Sequence, residues 1–92
     1  MLAPGVRGYA ILKTNGLLYI PVIEAVAQGS GDVGRFLDSL PLNVRIPNVC
    51  SERLEGMLKR RGWTMYIELV EDGPFKGDEC DIWEPGRKNG GL

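Results

Sequence analysis

Apolar and polar positions change period several times along this chain, and each change predicts an element. Tyr9–Lys13 (YAILK) and Leu17–Ile20 (LLYI) are rich in strand formers and are separated by Thr14-Asn15-Gly16, so they predict a β-hairpin. The second strand is expected to continue through Val22–Val26, with Pro21 marking a bulge, an edge or an interruption of pairing. After the glycine-rich turn QGSGDVG (Gln28–Gly34), the spacing becomes helical. Val33, Phe36, Leu37 and Leu40 fall at i, i+3, i+4 and i+7 and predict a helix over Asp32–Leu40 that stops at Pro41. Leu42–Ile46 (LNVRI) reads as a strand. Thr64–Val70 (TMYIELV) alternates with Met65, Ile67 and Leu69 on one face, and Cys80–Trp83 (CDIW) would pair back on it after the turns at Gly73-Pro74 and Gly77.

Between these strands, Ser51–Arg61 carries its own boundary signals. Ser51 can accept from N–H groups of the first turn, Glu52 and Glu55 suit the positive end of the helix dipole, and Lys59, Arg60 and Arg61 suit the negative end. Leu54, Met57, Leu58 and Arg61 share one face, apolar except at its last position, and Gly62 supplies the left-handed residue that ends the helix. The expected fold class is α+β, a small mixed, mostly antiparallel sheet with two helices packed on it. Residues 1–83 form one domain, and 84–92 (EPGRKNGGL), which lacks an apolar pattern, a disordered tail. The expected core is Ile11, Leu18, Ile20, Val22, Phe36, Leu37, Leu40, Val44, Ile46, Leu54, Leu58, Trp63, Ile67 and Leu69.

Composition narrows the function classes. The chain has 92 residues, 11 basic and 12 acidic, for a net charge of −1, so no global field points to nucleic acid or an anionic membrane. The Lys59-Arg60-Arg61 run is its basic cluster, either a solvated helix end or a contact for a phosphate or partner. The chain has no histidine, and Cys50 and Cys80 lack paired spacing, which argues against metal centres and against Ser-His or Cys-His catalysis. Two thiols without a signal peptide suggest a reducing cytoplasm, and no apolar run approaches membrane-spanning length.

The order of hairpin, glycine turn, helix, strand, helix, Gly-aromatic pair and hairpin over residues 9 to 83 resembles the second half of a GNAT N-acetyltransferase domain. The closest correspondence lies in Gln28–Leu40 and Ser51–Trp63. The resemblance implies that acetyl-CoA lies along the strand before the glycine turn. The turn would offer backbone N–H groups to the pyrophosphate, with Gln28, Gly29, Ser30, Gly31, Val33, Gly34 and Arg35 as cofactor-binding residues. It also implies that Glu24 is placed to act as general base for an amine, the alternative being a solvent-facing strand carboxylate. Three departures stand beside it. The turn carries one residue too many and places Asp32 where the pyrophosphate would lie, unless Asp32 is simply the N-cap of a plain connection. The position of the usual tyrosine acid is Leu58, which cannot donate a proton; Cys50 or Ser51 could substitute, or serve only as a core residue and an N-cap. The N-terminal strand and helices that wall the acceptor site in that family have no counterpart here.

These features order three expectations. The first is a GNAT-like scaffold acting as a protein-binding module with lost or weak catalysis, through Lys59, Arg60 and Arg61, the aromatic residues Tyr9, Tyr19 and Trp83, each of which could equally be core or solvent-facing, or an uncovered sheet edge, with a protein partner or a second copy. The second is an acetyl-CoA-dependent N-acetyltransferase of a protein or small amine. The third is a structural or virion-associated subunit. Small acetyltransferases of about this length occur in bacteriophages, some of them inactivating host defences, so the resemblance implies a phage or prophage protein working in the host cytoplasm.

Overall fold

A computed structural model of the chain describes residues 1–86. The elements are β1 (Val6–Leu12), β2 (Leu18–Ala25), α1 (Asp32–Asp38), β3 (Val44–Pro47), α2 (Glu52–Arg60), β4 (Thr64–Leu69) and β5 (Glu79–Glu84). They build a five-stranded sheet in the order β1-β2-β3-β5-β4, antiparallel except between β2 and β3. The parallel pair requires a crossover, which α1 supplies. The fold is therefore the expected α+β arrangement, with both helices beginning within a residue of their predicted starts.

Local chemistry explains the helix limits. Ser51 Oγ accepts from Leu54 N–H at 3.2 Å, capping α2. At the other end Trp63 N–H reaches Leu58 C=O at 3.0 Å and Gly62 N–H reaches Lys59 C=O at 3.0 Å, with Gly62 at φ +79°, a Schellman closure. The first helix ends at Asp38 rather than Leu40. Ser39 turns its N–H and hydroxyl onto Phe36 C=O, and Leu40 N–H closes a tighter turn on Leu37 C=O before Pro41. The first hairpin turns through the three residues Thr14-Asn15-Gly16. Gly16 N–H bonds Lys13 C=O, Lys13 N–H bonds Leu17 C=O, and Gly16 stands at φ +88°.

Pro21 lies in a bulge. Pairing runs Val6↔Ala25 to Tyr9↔Val22 and resumes at Ile11↔Tyr19, so Ile20 and Pro21 together oppose Ala10. The extra residue inverts the alternation within β2. Ile20 is buried, Ile23 packs against the same core, and Val22 between them is 42% exposed. Ile11, paired with Tyr19, turns away from that core and is 45% exposed. Val22 and Ile11 thus leave the expected core for one physical reason.

The buried cluster consists of Ile20, Leu37, Val44, Ile46, Leu58, Trp63 and Trp83, with Leu18, Val33, Phe36, Leu40, Leu54 and Met57 packed around it. Trp83 belongs here and not to an outer contact surface, because β5 is inserted between β3 and β4 and so occupies a central row, Ile46↔Trp83↔Met65. The cluster stops at that row. Ile67 and Leu69, further along the edge strand β4, are 53% and 59% exposed and are not core residues. Val6 and Ile82 are buried and were not expected to be. Glu84 lies within β5 and Gly86 packs on the Gly62 carbonyl; residues 87–92 of the expected tail lie outside the described residues. Among the described residues, no helix is long and apolar enough to cross a membrane.

Candidate functional site

The parallel strands β2 and β3 pair only through Leu18↔Val44 and Tyr19↔Arg45. Beyond those residues β2 bends at its bulge and follows β1, while Ile46 and Pro47 of β3 pair with β5. The two strands therefore diverge. Between them opens a cavity of about 240 Å³, walled by Pro21–Ile23 on one side and Pro47–Ser51 on the other. It adjoins a second cavity of about 320 Å³ that shares Ile23, Ser51 and Leu54 and runs out under the glycine turn. Together they form one elongated cleft, apolar within and polar at its mouth.

The mouth is shaped by backbone conformation. Gly29 and Gly31 adopt φ +78° and +82°, left-handed values that favour glycine, and Gly31 is the N-cap of α1, so Asp32 is the first helical residue and not the cap. Asp32 accepts from Ser30 Oγ at 2.8 Å and pairs with Arg35, and these two contacts hold its carboxyl below the usual carboxylate range, the Ser30 bond contributing most. Its charge is thus engaged by Arg35.

Of the expected cofactor-binding residues, Gln28, Gly29, Ser30, Gly31, Val33 and Gly34 line the mouth together. Arg35 does not line it and is turned onto Asp32. Glu24 contributes to the wall, but its exposed carboxylate faces its cross-strand neighbour Arg7 at 3.9 Å. Leu58 is fully buried in the core and lines neither cavity, whereas Cys50 and Ser51 do lie on the cleft wall. Ser51 Oγ is committed to the cap of α2. The basic run divides. Lys59 bonds Glu55 at 3.0 Å, Arg60 is exposed, and Arg61 bonds Asp38 at 2.8 Å and Met57 C=O at 3.2 Å, tying the two helices together. Gly34 is buried beneath that guanidinium: a Cβ there would stand 2.7 Å from Arg61 Nη2.

The residue that sequence reading missed is Arg53. It stands in the first turn of α2, lines the cleft mouth, and donates to Gln28 Oε1 at 2.8 Å across 25 residues of chain. A cation in the first helical turn opposes the dipole, and that unfavourable placement beside Glu52 and Glu55 was the available signal.

On the opposite face of the sheet, Tyr19 donates to Glu68 Oε1 at 3.2 Å and Lys13 Nζ stands 4.8 Å from the Tyr19 ring centroid, in a groove of about 570 Å³. Burial, reinforced by the charge of Glu68, pushes the Tyr19 phenol up to about 12 from 10.0. Because the folded value is the higher one, this contribution to stability is complete below pH 10 and is lost as pH rises toward about 12. Tyr19→Phe should therefore lose less stability than the parent over that interval in denaturant titrations at stepped pH. Equal losses in both proteins would refute the assignment.

No family model, curated protein or solved structure matches the chain, so a functional reading rests on the cleft itself.

Proposed function

We propose that the chain is a GNAT-like scaffold that holds an acyl-CoA-type ligand in the cleft between β2 and β3, with lost or weak acyl transfer. The observation that carries this reading is the divergence of the two parallel strands into a cleft that continues under a glycine turn. A flexible, amide-bearing arm can lie between separated strands and bond their unpaired backbone groups, while an anionic head is met by the backbone at Gly29 and Gly31, where the absence of a side chain allows close approach. The element order and the position of the turn are those that the resemblance implies. Weak chemistry follows from Leu58, which is buried in the core, and from Glu24, whose carboxylate faces Arg7. Cys50, exposed on the cleft wall, would be the remaining candidate to donate a proton to a departing thiolate.

Calorimetric titration with acetyl-CoA tests the reading. A dissociation constant in the micromolar range, about −8 kcal/mol, is expected. No heat at millimolar ligand would overturn it. The same protein incubated with acetyl-CoA and an amine should acetylate slowly or not at all.

A second reading, a protein-binding module, is favoured by one specific observation: Met65, Ile67 and Leu69 present an apolar strip on the edge strand β4, each about half exposed. The exposed Lys59 and Arg60 would supply polar contacts to such a partner, which could be a second copy. Both readings suit a reducing cytoplasm, where the free thiols of Cys50 and Cys80 persist.

A further inference from the structure

We propose that Arg53 is the side chain by which the cleft selects phosphorylated ligands, exchanging its bond to Gln28 for one to a ligand phosphate. The inference rests on the acyl-CoA reading of the cleft and assigns its specificity to a residue.

Three charged side chains border the two adjoining cavities, Glu24, Asp32 and Arg53. Glu24 faces Arg7, and Asp32 is occupied by Ser30 and Arg35. Arg53 alone among them has no opposite charge within salt-bridge reach among the described residues. It is held by the neutral amide oxygen of Gln28 at 2.8 Å. A guanidinium presents five N–H donors in a planar fork, and this contact uses one nitrogen, so most of its capacity remains unspent. A phosphate can engage the fork through two parallel charge-assisted bonds, which a neutral amide cannot match. The helix adds to the preference. The first turn of α2 is its positive end, and its two carboxylates, Glu52 and Glu55, line neither cavity and are beyond salt-bridge reach of Arg53, so a ligand anion at the mouth would meet both the guanidinium and the helix end. Gln28 then acts as a placeholder that keeps the exposed guanidinium over the glycine turn.

The expected signature is a loss confined to the phosphorylated end of the ligand. Calorimetric affinities would be measured for acetyl-CoA and for S-acetylpantetheine, which carries the same thioester arm without phosphates, on the parent chain, Arg53→Gln and Arg53→Lys. Arg53→Gln should weaken acetyl-CoA binding about 10- to 100-fold, the loss of one charge-assisted contact, while leaving S-acetylpantetheine unchanged. Arg53→Lys, which keeps the charge without the fork, should fall between them, and the salt dependence of acetyl-CoA binding should flatten in Arg53→Gln. Acetyl-CoA binding that is equally tight in Arg53→Gln, or an equal loss for both ligands in a variant with unchanged thermal midpoint, would overturn the inference while leaving the cleft reading intact. Failure of the parent chain to bind acetyl-CoA would instead overturn the cleft reading, and this inference with it. Arg53 is exposed, so its replacement removes no core contact, and Arg53→Lys provides the second variant should Arg53→Gln unfold.

Discussion

Leu58→Ala is expected to lower the unfolding free energy by about 2–5 kcal/mol. Leu58 is fully buried and belongs to the cluster that contains Val44, Ile46, Trp63 and Trp83, so truncation removes both its transfer free energy and its contacts with aromatic neighbours that cannot close the gap. For a domain this small, total stability of about 5–15 kcal/mol makes that a large fraction, and the midpoint of thermal unfolding should fall by about 10–30 °C. Urea titration monitored by tryptophan fluorescence measures it, since Trp63 and Trp83 both lie in the cluster. A loss under about 0.5 kcal/mol would mean that α2 presents another face to the sheet.

A comparable effect is expected at a residue with no side chain. Gly8 stands at φ +146° inside β1, and a Cβ placed there would lie 1.9 Å from Val22 C=O oxygen and 2.8 Å from Leu2 Cδ1. The first obstacle is backbone of the neighbouring strand, held in the β1–β2 ladder, and cannot rotate aside as a side chain would. Gly8→Ala should therefore force the two strands apart at the residues next to the bulge and destabilise by about 3 kcal/mol or more. Gly16→Ala is the control. It shares a positive φ, at +88°, but nothing lies within 4 Å of its Cβ, so its cost should be the left-handed penalty alone, about 1–2 kcal/mol. Equal thermal midpoints for the two variants would show that the close approach at Gly8 is relieved without penalty.

What the sequence revealed was local. Ser51, Gly62, Asn15-Gly16 and Pro41 act on their immediate neighbours, and the elements they bound fall within about two residues of where the pattern places them. Pro21 announced an irregularity, but not its consequence. One additional residue in β2 reverses which side chains meet the core, and no reading of strict alternation could give Ile20 and Ile23 the same side. Trp83 was left open between contact surface and core for a different reason. The last strand in sequence is central in space, and that insertion is a property of topology, not of CDIW. The exposed Ile67 and Leu69 are the other side of the same fact, since the strand displaced to the edge is β4. In the cleft, the glycine turn was legible because it is contiguous. Arg53 was not, because its partner Gln28 comes from a segment that only the crossover through α1 brings within reach.

The two residue pairs that join β2 to β3 make the sheet mechanically uneven. The β3–β5 seam is equally short, two pairs at Ile46–Pro47 and Ile82–Trp83, whereas β1–β2 and β4–β5 are each stitched through six, so the two longer ladders are joined only through the four-residue strand β3. Prying β2 and β3 apart beyond their two pairs breaks no hydrogen-bonded ladder, because none was formed there. The resistance comes instead from the side chains that bridge the underside, Leu37 and Leu58 among them. Strand pairing therefore sets the position of the opening, and side-chain packing beneath it sets its width.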